Sequence, residues 1–451
     1  MTRGRWVLLG LGVLAAALLG GVLWYLGPIA PIATGYAAKS TCSAHVVSER
    51  ALADAQGDLP PNPLVPLLRL SADPDEGQVT ASLLGAWSTT AYATEGLGCT
   101  LAEEDPGFAP LAVGAHERSD APWPDGDGPP RVPAEVDEQA LEAAIDAAFV
   151  EDDPDGGARN TRAVVVAKDG ELIAERYGPG FGAETRLLGW SMTKSVANAM
   201  IGRLVGAGTL DLDDNRLRPE WADDERAGIT LEHLLTMTSG LAFDEVYDPD
   251  TDATRMLFAP GNAAAYAAEQ PLLHEPGTVW NYSSGTTNLL CDLAHETSGT
   301  GPELARELVF DPLGMSSAVM EPDAGGSLVC SSFMYATARD WARFGQWFLQ
   351  DGAWDGERLL PEGWVEWSTT PVEPASRPYG AQWWLNVGAD GSARMPSVPD
   401  DAFWASGHEG QQVVVVPSED LVLVRLGLSG EFDGIEWGLE PLLSDVIEAT
   451  R

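Results

Sequence analysis

A chain of 451 residues with 45% hydrophobic content can hold two or three domains, or one large domain with attachments, and is too apolar for global disorder. Its 26 basic and 68 acidic residues give a formal charge of −42, which repels nucleic acid and anionic membrane surfaces. The charge is spread along the chain, so it reads as solvation and not as a binding tail.

Arg3 and Arg5 precede an uncharged run from Trp6 to Ala38. Its most apolar stretch, residues 6–26, is long enough to span a bilayer as a helix. We expect a membrane anchor there, with residues 1–5 in the cytoplasm and the rest outside, by the positive-inside rule. A cleaved leader, releasing a secreted chain, is the competing reading; its small-x-small site is Gly35-Tyr36-Ala37. The four cysteines fit an oxidising compartment and allow three connectivities. We prefer Cys42 with Cys99 and Cys291 with Cys330. Neither Cys-x-x-Cys nor His-Glu-x-x-His occurs, so a metal site has no support, and the serine chemistry read below requires no cofactor.

Residues 27–119 read as a small β-rich region, with strand-like runs at 78–84 and 89–94 ending at Gly98-Cys99-Thr100-Leu101. A Pro/Asp/Gly-rich linker, residues 120–133, sets the boundary with the main domain, residues 134–451. That domain opens on a helix with Val136, Leu141, Ile145 and Phe149 on one face. A hairpin turning at Lys168-Asp169-Gly170 follows, and another helix starts at Ser191. Residues 191–350 read as mostly helix and loop. Strand patterns return at 381–387, at 412–416 and at 421–425, before a last helix over 435–449. Strands at both ends with helices between predict an α/β (α+β) fold: one antiparallel sheet, flanked by the terminal helices, with a helical subdomain inserted.

The chemistry-bearing pattern begins at Ser191-Met192-Thr193-Lys194. Residues three apart share a helix face, so the Lys194 amine reaches the Ser191 hydroxyl, which needs such a partner to become a nucleophile. Tyr282-Ser283-Ser284 lies just before a helical stretch; a cationic lysine nearby is expected to lower the Tyr282 pKa. The third element, His408-Glu409-Gly410-Gln411, opens a valine-rich strand where glycine admits substrate close to the backbone.

In this order the three elements resemble the serine β-lactamase-like superfamily, in its class C β-lactamase-related branch of esterases and 6-aminohexanoate-dimer hydrolases. The runs Leu234–Leu241, Pro276–Tyr282, Pro312–Met315 and Tyr335–Asp340 are similar to that family too, over about residues 134–451. The resemblance implies Ser191 as acylated nucleophile and Lys194 and Tyr282 as general base and acid. It implies an oxyanion hole from the backbone N–H groups of Ser191 and Gln411, and substrate contacts from Ser284, His408, Gly410 and Tyr247. Two departures stand out: His408 replaces the lysine, and Ser284 the asparagine, that β-lactamases carry. The loss of a permanent cation at 408 turns the expectation away from β-lactams and toward small ester or amide substrates. Two other readings stay open: a penicillin-binding D,D-peptidase or β-lactamase, and an inactive receptor on the same fold. Oligomeric state has no signature in the sequence.

Overall fold

The computed structural model describes residues 3–73, 76–112, 119–151, 158–430 and 435–451, without the side chains of 3–10, 12, 15, 16, 18, 19 and 22. Helix α1, Arg3–Val46, is followed by the short α2, Leu52–Gly57, and by a four-stranded antiparallel meander. Its strands are β1, Leu68–Asp73; β2, Gln78–Leu83; β3, Trp87–Thr94; and β4, Gly98–Ala102. Strand β1 escaped the sequence reading although its Leu68, Leu70 and Ala72 alternate with polar residues, the pattern of a half-buried strand.

The anchor expected over residues 6–26 is not supported. Among the described residues no helix is long and apolar enough to cross a membrane, and many side chains of that stretch lie outside them. Nor does α1 stop at the end of the apolar run. Its later turns pack on the meander through Ala37, Ala38 and Cys42, and Cys42 is bridged to Cys99 of β4. Gly35, part of the small-x-small site, is buried: a Cβ there would collide with the Phe258 carbonyl oxygen. The β-rich region is therefore closed by a helix.

Helix α3, Glu138–Ala148, is capped by Asp137, whose carboxylate accepts from the Ala140 N–H at 3.0 Å. The hairpin of β5, Thr161–Lys168, and β6, Glu171–Tyr177, turns through Asp169 and Gly170, both with positive φ. The short β7, Leu187–Leu188, leads to α4, Thr193–Gly206; α5, Leu231–Leu235; α6, Asp252–Phe258; α7, Ala263–Ala268; and α8, Ser284–Ser298. Next come β8, Val319–Met320; β9, Met334–Ala336; and α9, Ala338–Leu349. A small ribbon, β10, Ala353–Trp354, with β11, Glu357–Arg358, precedes α10, Trp364–Ser368. The chain closes with β12, Trp384–Leu385; β13, Phe403–Gly407; β14, Gln411–Val416; β15, Leu421–Gly427; and α11, Leu439–Thr450.

The main sheet runs β12-β13-β14-β15-β5-β6, antiparallel throughout. Its centre is apolar on both faces. Val413, Val415, Val422 and Val424 face the large core under α4, α8 and α9. Val414, Val416, Leu421 and Leu423 face α3 and α11. Alternate residues of a strand point to opposite faces, so a continuous apolar run is what a doubly covered sheet demands. The segment expected to be a linker is fastened to the domain: Trp123 is buried, and Arg343 of α9 donates to the carbonyls of Pro124 and Gly126 at 2.9 and 2.8 Å.

Candidate active site

Ser191 sits in a tight 3₁₀ turn, Trp190–Met192, that runs straight into α4. The helix begins two residues later than the sequence pattern suggested, and the turn presents Ser191 at its mouth. Trp190 enters that turn with φ of 48°, a left-handed conformation strained for a bulky residue. Packing holds it there: its ring meets Tyr247, Phe258, Phe333 and His408, and its Nε1–H donates to the Glu409 carboxylate at 2.9 Å.

Lys194 lies one helical turn on and is 1% exposed. Its Nζ makes three contacts: Ser191 Oγ at 2.9 Å, Ser284 Oγ at 2.9 Å and the Ser331 carbonyl at 3.0 Å. Burial pulls its pKa down to about 8, while the Glu245 carboxylate pulls the other way. Ser284 Oγ in turn donates to Glu245 at 2.6 Å, and the Ser284 N–H donates to the same carboxylate at 2.7 Å. Ser284 therefore receives from Lys194 and gives to Glu245. A neutral Lys194 amine that donates to Ser284 and Ser331 has its lone pair left for the Ser191 hydroxyl.

Tyr282 directly precedes Ser283, the N-cap of α8, and shares a side-chain hydrogen bond with Ser191. The Lys194 Nζ stands 5.0 Å from its ring centre. Its pKa is raised, by burial first and by Glu245 second, with the Ser191 hydrogen bond opposing both. The expected fall is thus corrected: desolvation and a carboxylate the sequence reading did not weigh push the phenol upward. Tyr282 packs against Trp280, Tyr379 and Trp384. Trp383, by contrast, is fully buried against Phe344 and Phe348.

The third element is a turn. Glu409 and Gly410 both have positive φ, and a Cβ at Gly410 would meet the Arg425 guanidinium. Gln411 starts β14, which lies against the Ser191 turn. His408 is exposed and stacks on Tyr247, their ring centres 5.1 Å apart. The Tyr247 hydroxyl faces Ser284 and Ser332, and burial raises its pKa. Ser191, Lys194, Tyr282 and Ser284 thus form one cluster, with Tyr247, His408 and Gln411 along its edge. Ser284, expected to touch substrate, is fully buried between Lys194 and Glu245.

Two participants went unread. Glu245 stood in the loop run Asp244-Glu245-Val246-Tyr247, where an acidic residue in an acidic chain draws no notice. Ser331 acts through its carbonyl, which carries no side-chain signature; its signal was the neighbouring Cys330. The preferred pairing of cysteines is the observed one, and the Cys291–Cys330 bridge ties α8 to the strand-free segment that offers the Ser331 carbonyl.

The Beta-lactamase family model matches residues 147–428, more than half of the chain. The chain is 26% identical over 318 residues to the 6-aminohexanoate-dimer hydrolase of Paenarthrobacter ureafaciens, covering 64% of this chain and 78% of that protein. It is 30% identical over 208 residues to esterase EstB of Burkholderia gladioli, covering 40% and 52%. A proposed 6-aminohexanoate-dimer hydrolase from Bacillus anthracis superposes with a TM-score of 0.56 at 22% identity, over 71% of this chain and 86% of that one, a likeness of fold.

Proposed function

Because the chain belongs to the beta-lactamase family, we propose that it is a serine hydrolase that cleaves small esters or amides through an acyl-enzyme on Ser191. The observation that carries this reading is the buried Lys194 bonded to Ser191 while two other acceptors fix its remaining directions. Neutral Lys194 takes the Ser191 proton as Oγ attacks the substrate carbonyl carbon. The backbone N–H groups of Ser191 and Gln411 hold the resulting oxyanion. Tyr282, kept protonated by its raised pKa, gives its proton to the leaving group, and the Lys194 ammonium stabilises the phenolate. In the second half the phenolate takes a proton from water, the hydroxide attacks the acyl carbon, and Lys194 returns its proton to Ser191. Ser284 and Glu245 orient Lys194, while His408, Gly410 and Tyr247 line the substrate's path.

An esterase or amidase fits better than a β-lactamase or D,D-peptidase, since His408 offers no permanent cation for a β-lactam or peptide carboxylate. A serine-directed phosphonate should label the wild type and leave Ser191→Ala unlabelled. Labelling that survives in the variant overturns the assignment. Hydrolysis of p-nitrophenyl acetate and of linear 6-aminohexanoate dimer, without turnover of a chromogenic cephalosporin, is the expected pattern. We also assign the catalytic domain to an oxidising, extracytoplasmic compartment, on the support of two buried disulfides. Four reactive thiols in the denatured, unreduced protein would count against that assignment.

A further inference from the structure

A cavity of about 570 Å³ opens beside the nucleophile's turn and reaches back to α1. Its far wall is apolar: Ile29, Ile32, Ala33 and Tyr36 of α1, with Leu64 and Phe258. At its near end stand Trp190, which immediately precedes Ser191, and the stacked pair of Tyr247 and His408. Both carboxylates on its lining are engaged within the protein. Asp58 pairs with Arg50 and Arg162, and Glu409 accepts from Trp190. The volume falls within the ~300–1,000 Å³ of small-molecule sites. None of the proposed catalytic steps uses it.

We infer that this cavity is an acyl-chain site, which takes a medium-length, unbranched apolar acyl group whose carbonyl carbon sits at Ser191. The inference rests on the serine-hydrolase reading above. The acyl side is singled out by the position of the proton donor. Tyr282, which protonates the leaving group, packs against Trp280, Tyr379 and Trp384, none of which lines the cavity. The leaving group departs on that side, so the group retained on the serine lies toward Trp190 and His408. As the Ser191 Oγ–acyl bond forms, the carbonyl's bond to the leaving oxygen or nitrogen breaks. The chain then stays in the cavity until water releases it as the carboxylic acid. The N-terminal helix thereby supplies one wall of a site whose reactive groups all come from the catalytic domain.

The test is a series of p-nitrophenyl esters from acetate to octanoate, run on the full chain. We expect kcat/KM to rise about fourfold per added methylene as each is buried. Ala33→Trp, which fills the cavity from α1, should cut the octanoate-to-acetate ratio at least about tenfold. Ile29→Trp repeats the test from another point of the wall, with a thermal melt to show that each variant is folded. A flat or falling series that still depends on Ser191 overturns the inference and leaves the hydrolase reading standing. The Ser191→Ala protein supplies a readout free of turnover, the binding of octanamide and of acetamide by calorimetry. Octanamide bound more tightly, and lost in Ala33→Trp, supports the cavity's ligand class even where no ester is turned over, an outcome that would sink the hydrolase reading instead. Equal binding of the two amides overturns the inference.

Discussion

The proton inventory around Ser191 sets a pH dependence. In the proposed mechanism Lys194 works as a base only when neutral, and its pKa of about 8 places that form above mildly alkaline pH. We therefore expect kcat/KM to climb through an acidic limb centred near pH 8. Tyr282, the proposed proton donor, adds no early alkaline limb, because its raised pKa keeps its proton in place. Glu245 raises the Lys194 pKa through its charge, so Glu245→Gln should move the limb to lower pH. A limb that stays in place in Glu245→Gln would show that the carboxylate is not charged next to Lys194. Lys194→Ala should lower kcat by about 10²–10⁴-fold, the usual worth of a general base.

Helix α1 is held to the main domain by a buried ion pair. Lys39 Nζ meets Glu321 at 2.7 Å, with the two side chains 3% and 0% exposed. The same carboxylate accepts from Ser43 Oγ and from the Cys99 N–H, each at 2.7 Å, so one residue gathers α1 and β4. Lys39 also lies over the Phe333 ring at 4.4 Å. Removing one member of such a pair leaves a buried charge without its counter-ion, at a cost of about 3–5 kcal/mol. Lys39→Met should lower unfolding stability by that order in urea titrations. The double variant Lys39→Met/Glu321→Leu should recover much of the loss. Equal stability of wild type and Lys39→Met would mean that α1 is held by apolar packing alone. The sequence had marked Lys39 only as the end of an uncharged run, since its partner lies 282 residues further along the chain.

The molecule as a whole is a beta-lactamase-family domain with a helix-and-meander unit set against it, and the Cys42–Cys99 bridge closes that unit. The bridge spans 57 residues of sequence. Loop-closure entropy for a ring of that length gives about 4 kcal/mol of stabilisation. Cys42→Ser/Cys99→Ser should lower the Tm and, because Cys42 belongs to the helix that walls the cavity, weaken the preference for longer acyl chains. An unchanged Tm would show that α1 keeps its place without the bridge.

Much of this was legible in the residues alone. The three elements bearing Ser191, Tyr282 and His408, the hairpin at Lys168-Asp169-Gly170 and the apolar strands at the two ends of the domain follow from local pattern, because spacing and side-chain chemistry act over a few residues. The state of the site did not follow from them. Whether Lys194 is neutral enough to act as a base, and whether Tyr282 keeps its proton, depend on burial and on Glu245, which folding brings from a separate loop. The place of α1 is of the same kind. An apolar run read as a membrane segment says nothing of where the turns beyond it pack, and the meander, the Lys39–Glu321 pair and the Phe258 carbonyl pressed against Gly35 are contacts between segments far apart in the chain. Local composition carries the periodicity of such a helix, whereas the free energy that selects its partner is distributed over those distant contacts.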